Sequence, residues 1–118
     1  MPRPVQHPAS EDISISAVLY ALSDPVRAAI VRELTKAPQG LNCTEMNQRL
    51  GLKLAKSTCS QHYRILREAG VIFSERKGVE LFSRVRTQEL SAKFPGLMRS
   101  ILKGYAVNAT PVGASVGR

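Results

Sequence analysis

The sequence predicts a mostly α-helical domain that carries one small two-stranded β-wing. Apolar residues recur at helical spacing over most of residues 13–70, as at Ile15, Leu19 and Leu22. From residue 71 to residue 85 the period changes from 3.6 to 2, which is typical of a strand, a turn and a return strand. Because this ribbon directly follows two helices joined by a tight connection, the predicted fold is a winged helix-turn-helix.

The composition indicates one domain with a polyanionic partner. The chain has 118 residues, of which 43% are hydrophobic, enough for one modest core. The formal net charge is +8. Residues 53–86 carry eight Lys or Arg against three Glu, a net of +5, whereas residues 1–35 carry three Arg against four acids, a net of −1. The basic surface is therefore expected in the second half of the domain.

Several protein classes are disfavoured by the sequence. It contains no run of 18 apolar residues, so no membrane span is expected, and its first residues lack the apolar centre of a signal peptide. Two cysteines are too few for a disulfide scaffold and fit a reducing cytoplasm. We expect a cytoplasmic protein with a disordered lead-in over residues 1–12, a folded domain over 13–103 and a flexible tail over 104–118.

Capping signals and apolar spacing divide the domain into elements. A first helix is predicted from about Ile13 to Leu22, and a second follows an Asp24 N-cap and ends near Thr35. The third begins at Asn42 or Cys43 and ends at Gly51, and the fourth covers about residues 55–69. Strands are expected over 71–75 and 80–85, around an Arg76-Lys77-Gly78 turn, before a helix capped by Thr87 and another over 95–103.

The fourth helix has two chemically different faces. One is an apolar stripe of Ala55, Cys59, Tyr63 and Leu66. The opposite face carries short or planar hydrogen-bonding side chains and no acid before Glu68: Ser57, Thr58, Gln61 and Arg64. Such a face can lie in a major groove and read base edges. The competing interpretation is the polar outside of an ordinary amphipathic helix.

Three segments in this order resemble the ArsR-type family of winged-helix transcriptional repressors. LSDPVR at 22–27 is similar to that family's L-x-D/H-P-x-R entry into the second helix. KSTCSQHY at 56–63 is similar to its S-T-x-S-x-H-L/F recognition helix. LREAGV at 66–71, followed by Gly78, is similar to its strand entry and wing. The resemblance covers about residues 13–103.

The resemblance implies a repressor that binds an inverted-repeat operator in double-stranded DNA as a homodimer. DNA contacts are expected from the fourth helix and the wing, at Lys56, Ser57, Thr58, Ser60, Gln61, His62, Arg64, Arg76 and Lys77. The family's dimer forms through its first and last helices, which implies an interface of Ile15, Val18, Leu19, Leu22, Leu97, Ile101 and Leu102. Release from DNA would follow a small organic ligand, thiol oxidation or a partner protein, and the sequence does not choose between them.

The chain departs from the family at the metal sites. Metal-sensing members carry a Cys-x-Cys pair at the start of the third helix, or acidic and histidine ligands on the last one. Here Asn42 and Thr44 take the cysteine positions, Cys43 lies between them, and residues 87–103 contain no His, Asp or Cys. A transition-metal site needs three or four soft or imidazole ligands, and the chain has only two Cys and two His. We therefore expect no metal and no other cofactor.

Some side chains allow two interpretations. Cys59 is a small core side chain or, with Cys43, a redox site, which requires Cα atoms within about 7 Å. His62 contacts a phosphate or bonds locally, and Ser57 and Thr58 cap the fourth helix with or without touching phosphate.

Two other classes of function compete with that of a repressor. A winged-helix module that binds protein and does not read DNA is the alternative. Catalysis is not expected, because the sequence offers no paired carboxylates, Ser-His-Asp set, Gly-rich phosphate loop or metal cluster.

Overall fold

The computed structural model describes residues 5–108, without the side chain of Asn108. A 3-10 turn is followed by six helices and two strands, in the order Ser10–Asp12, α1 Ile15–Leu22, α2 Pro25–Thr35, α3 Cys43–Leu50, α4 Lys56–Glu68, β1 Ile72–Lys77, β2 Glu80–Val85, α5 Thr87–Lys93 and α6 Leu97–Asn108. This order confirms the predicted winged helix-turn-helix, with α3 and α4 as its helix pair and β1 and β2 as its wing.

Local sequence signals place the ends of the central helices. Asp24 accepts two backbone N–H bonds of α2 at 2.8 and 3.1 Å, and Pro25 takes the first helical position. Asn42 caps α3 in a capping box, in which its side chain accepts from the Glu45 N–H and Glu45 accepts from the Asn42 N–H. Gly51 ends α3 at φ 65°. These boundaries agree with the sequence predictions.

One core lies between α1, α2, α4 and the base of the wing. Its fully buried large side chains include Val18, Leu22, Ile30, Val31, Leu34, Met46, Leu66, Val71, Ile72 and Leu90. Val18 and Leu22 are 0% and 2% exposed, so their predicted place in a dimer interface is wrong. They point inward because α1 packs this side against α2 and α4.

The N-terminal segment lies against the wing. The His7 ring stacks on Phe73 with centroids 4.4 Å apart, and its Nε2 accepts the Ser74 N–H at 2.9 Å. Arg86 and Lys93 donate to backbone carbonyls of the same segment at 2.8–2.9 Å. The predicted disordered lead-in is therefore wrong for residues 5–12, whose partners lie far away in sequence. Residues 1–4 lie outside the described residues.

The wing differs slightly from its prediction. β1 and β2 pair along their full lengths and are joined by the two-residue turn Gly78-Val79, with Gly78 at φ 67°. The predicted turn over 76–78 therefore begins too early, and its first two residues belong to β1. On the other edge of β2, Leu41 pairs with Ser83 through two backbone hydrogen bonds of 2.9 and 3.0 Å. This bridge attaches the wing to the residues just before α3.

The last two helices also differ at their ends. Thr87 is the first residue of α5 and does not cap it. α6 continues to Asn108, so the predicted flexible tail is wrong for residues 104–108, while 109–118 lie outside the described residues. The Tyr105 hydroxyl donates to the Leu22 carbonyl oxygen, which holds α6 beside the end of α1.

Candidate nucleic-acid interface

α4 is held by one face and exposed on the other. Cys59, Tyr63 and Leu66 are at most 4% exposed and belong to the core. Six of the predicted DNA-binding side chains of this helix lie on its exposed side: Lys56, Ser57, Thr58, Ser60, Gln61 and Arg64. The sequence thus correctly predicted both faces except at Ala55, which is exposed and precedes the first helical residue. The exposed one offers hydrogen-bond donors and acceptors and positive charge without an acid before Glu68.

Among residues 5–108, no side chain caps the N-terminus of α4. Its N-cap is Ala55, whose methyl group cannot accept a hydrogen bond. The hypothesis that Ser57 or Thr58 caps the helix is therefore wrong, and both side chains are exposed. The first backbone N–H groups and the positive end of the helix dipole are open to an anion from solution.

His62 lies at the border between the two faces of α4. It is half-buried, and its Nδ1 is 3.5 Å from an Nη atom of Arg27. Arg27 is itself buried, donates from Nε to the Ala21 carbonyl oxygen at 2.7 Å, and lies 3.8 Å from an Asp24 carboxylate oxygen. This arrangement favours the local-bonding interpretation of His62 over a phosphate contact.

The wing carries a second group of cationic side chains. Arg76 and Lys77 are exposed at the end of β1, and the Lys77 ammonium lies 5.4 Å from the Phe82 ring centroid. Sequence reasoning missed Arg84, an exposed residue of β2 whose guanidinium lies 4.7 Å from the Phe73 ring centroid. Its position opposite Phe73 in an alternating strand is the sequence signal that could have identified Arg84.

Two acids lie among these cations. Glu75 and Glu80 are both exposed on the wing. The Glu80 carboxylate accepts a hydrogen bond from the side-chain amide of Asn42, the residue that caps α3. Glu80 is thus directed towards the helix pair, so one of the two acids has a structural partner.

The structure brings the two predicted redox candidates together. Cys43 and Cys59 are joined as a disulfide with their Cα atoms 6.7 Å apart, within the limit of about 7 Å for such a bond. Cys43 is the half-buried first residue of α3, whereas Cys59 is 1% exposed on the inner face of α4.

The remaining predicted interface residues separate into two groups. Ile15 and Leu19 on α1 are 48% and 46% exposed. Leu97, Ile101 and Leu102 on α6 are half-buried and pack against the core. Sequence reasoning missed two exposed apolar neighbours on the same helices, Tyr20 and Val107.

Within residues 5–108, no three or more His, Cys, Asp or Glu side chains come together in a way that could hold a metal ion. In the same part of the chain, no helix is both long enough and apolar enough to cross a membrane.

Comparisons with known proteins support this description. A family described as a helix-turn-helix domain matches residues 22–73. The chain is 28% identical over 92 residues to YceK, an uncharacterized HTH-type transcriptional regulator of Bacillus subtilis, a match that covers 78% of this chain and 90% of YceK.

Two solved structures share the fold. The transcriptional repressor BigR from Xylella fastidiosa superposes with a TM-score of 0.60 at 23% identity, over 81% of this chain and 87% of BigR. An ArsR family transcriptional regulator superposes with a TM-score of 0.59 at 17% identity, over 89% of this chain and all of that one.

The fold, the exposed face of α4 and the helix-turn-helix match define a transcriptional regulator with a helix-turn-helix DNA-binding domain. YceK, which matches this chain over most of its length, is likewise described as an HTH-type transcriptional regulator. Within that class, its fold is the one that BigR and the ArsR family regulator share, as the winged helix-turn-helix prediction required.

Proposed function

We propose that this protein is a cytoplasmic repressor that binds an inverted-repeat operator in double-stranded DNA as a homodimer and is released by a signal. The observation that carries the proposal is the exposed face of α4, which lacks acids, begins at an uncapped helix N-terminus and has a basic wing beside it in the chain. A face of this composition suits a duplex better than a protein surface.

Sequence reading is assigned to Gln61 and Arg64. They lie three residues apart on the exposed face of α4, so both side chains reach the same groove. Arginine pairs with two acceptors of guanine in the major groove, and glutamine pairs with a donor and an acceptor of adenine. These two residues therefore set the preferred bases in the proposal.

Phosphate contacts are assigned to the two ends of the interface. At the start of α4, Lys56, Ser57 and Thr58 lie beside the open N–H groups of the helix, where a phosphate oxygen would complete the missing cap. Arg76 and Lys77 would hold the neighbouring backbone from the wing. Such contacts fix register and orientation without reading sequence.

Dimerisation is assigned to a surface that the exposed side of α1 and the adjacent α6 form together in each copy. A two-fold axis between two copies places their α4 helices in successive major grooves. The operator would then be an inverted repeat with half-sites about 34–36 Å apart, or a multiple of that distance.

Selection of bound sequences from a pool of random duplexes tests these assignments together. We expect enrichment of one inverted repeat by the parent protein. A Gln61→Ala, Arg64→Ala variant that keeps the parent's circular dichroism should enrich no sequence, while it still binds duplex DNA through phosphate contacts. If the parent retains duplexes without enriching a sequence, or retains none, the proposal fails. The second result would favour the protein-binding alternative.

A further inference from the structure

We propose that Cys43 and Cys59 form a reversible thiol–disulfide switch that changes the position of α4 and thereby the affinity for DNA. The inference rests on the proposed function of α4 and names the signal that releases the protein from DNA.

The pair joins the two helices of the helix-turn-helix. Cys43 begins α3, and Cys59 lies in the first half of α4, sixteen residues later. Their Cα separation of 6.7 Å lies within the range that disulfides span, near its upper end. The fold therefore permits the bond, and a bond at this place connects the proposed reading helix to its neighbour.

The fold does not depend on this bond. α4 is also held in the core by Tyr63 and Leu66, and α3 by Met46, all of them buried. α3 has its own capping box and its own glycine C-cap. Because packing holds both helices and caps define the ends of α3, joining or separating the sulfurs adjusts α4 without unfolding the domain.

The two sulfurs differ in access. The half-buried Cys43 lies in the first turn of α3, whose backbone N–H groups favour an anionic sulfur. Cys59 is 1% exposed and is reached from solution only after movement of α4. Cys43 is therefore the thiol that meets an oxidant first, and Cys59 resolves the product.

The oxidant class is a hydroperoxide. The Cys43 thiolate attacks the distal oxygen of ROOH, the O–O bond breaks, and Cys43 sulfenic acid and an alkoxide form; the alkoxide takes a proton and leaves as ROH. The Cys59 thiol then attacks the sulfenic sulfur, the disulfide forms, and the hydroxyl leaves with the thiol proton as water. Two exchanges with a cellular thiol return both cysteines to the reduced state and release that thiol as its disulfide.

The bond changes the interface through its neighbours in α4. Thr58 and Ser60 directly flank Cys59 and are exposed on the proposed DNA side. Non-bonded heavy atoms stay roughly 3.5–4 Å apart, whereas bonded sulfurs lie about 2.05 Å apart, so bond formation draws α4 towards α3 by on the order of 1 Å. Base reading tolerates roughly 0.5 Å of misplacement. Since thiols are the resting state in a reducing cytoplasm, the reduced form binds DNA and the disulfide form releases it.

The experiment compares reduced and oxidised full-length protein on the operator obtained from duplex selection. Cumene hydroperoxide is the oxidant and dithiothreitol the reductant. Without DNA, oxidation should remove both free thiols and two hydrogens from the intact mass. With DNA, it should weaken binding by about 5- to 150-fold, reversibly, as is typical of a coupling between two sites.

Cys43→Ser and Cys59→Ala are the controls. Both should bind DNA as the reduced parent does, and the hydroperoxide should not change their affinity. Because both variants keep all three methionines of the chain, this result would also show that methionine oxidation does not cause the release. If Cys59→Ala folds poorly, Cys43→Ser alone still tests the switch, because Cys43 is only half-buried. Equal affinity of the oxidised and reduced parent would overturn the switch and leave DNA binding intact. A reduced parent that selects no sequence would overturn the proposed function, while the thiol chemistry would still be measurable.

Discussion

Gly70 shows how a residue without a side chain fixes the junction between α4 and β1. Its φ is 84°, and an added Cβ would lie 2.5 Å from Cγ1 of Ile13, which is buried. Gly70→Ala should therefore lower the free energy of unfolding by about 2–5 kcal/mol, because left-handed strain adds to overpacking. Urea denaturation measures this loss. Gly51→Ala is the matched control, since φ is 65° there but no atom of the described part of the chain lies within 4 Å of its added Cβ. Equal losses in the two variants would contradict the packing argument.

Gln61 provides the test of base reading at a single side chain. Gln61→Ala should cost about 1–3 kcal/mol on the preferred operator and relax one base position in each half-site. Gln88→Ala, at another exposed glutamine, which lies on α5, should change neither. Binding of a panel of single-base operator variants measures both effects. If Gln61→Ala treats the whole panel as the parent does, α4 is not the reader.

At the scale of whole elements, the wing should contribute electrostatic affinity without sequence preference. Arg76→Ala and Lys77→Ala should each weaken selected and random duplexes alike. Each should also lower the slope of log affinity against log salt by about one unit, because one phosphate contact is lost. Fluorescence anisotropy across a salt series gives the slope. Lys36→Ala is the control, because that lysine pairs with Glu33 at the end of α2. A loss at one base position only would contradict the phosphate role.

The contact between the N-terminal segment and the wing should depend on pH. Burial first, and then the positive charges of Arg67 and Arg86, lower the pKa of His7. The neutral ring accepts the Ser74 N–H, and a protonated ring cannot. Because the folded pKa lies below the unfolded value of about 6.5, this contribution is complete above pH 6.5 and is lost as pH falls from there towards the folded pKa.

Urea midpoints of the parent and of His7→Ala, compared at pH 7.5 and pH 5, test this contact. The parent should lose more stability over that interval than the variant, which lacks the titrating ring. Parallel losses in the two proteins would show that the contact with Ser74 contributes nothing.

The same elements show what the sequence could predict. The ends of α2 and α3 were predicted because Asp24, Asn42 and Gly51 act on backbone groups a few residues away. The N-terminal segment was missed because His7 bonds to a residue 67 positions later, and no local pattern marks such a contact. Arg84 was missed although its strand alternates in the sequence, because its aromatic partner Phe73 lies on the other strand and the pairing depends on the register.

At the scale of the molecule, apolar spacing identified α1 but did not show what covers each face of this helix. Val18 and Leu22 are almost completely buried within one copy, whereas Ile15 and Leu19 on the same helix are about half exposed. A periodic pattern records that a side chain avoids water, not whether its own core or a second molecule covers it. Only the packing of α1 on α2 and α4 distinguishes the buried pair from the exposed pair.

The surface that remains exposed leads to the last prediction. Ile15 and Leu19 lie one turn apart on α1, next to the 62% exposed Tyr20. α6, held beside α1 by Tyr105, exposes Val107. Under two-fold symmetry each of these side chains is buried twice, and burial of a large apolar side chain contributes about 1.5–3 kcal/mol. We expect a stable dimer at micromolar concentration before DNA is added.

Ile15→Glu combined with Leu19→Glu should give folded monomers, because both side chains already face solvent in one copy. These monomers should lose operator binding although α4 is unchanged, since one half-site supplies only part of the contacts. Sedimentation equilibrium and a mobility shift measure the two effects. Val79→Glu makes the same chemical change at a 93% exposed site on the wing tip and should remain dimeric. A parent protein that sediments as a monomer and binds a single half-site tightly would rule out both the dimer and the inverted-repeat operator.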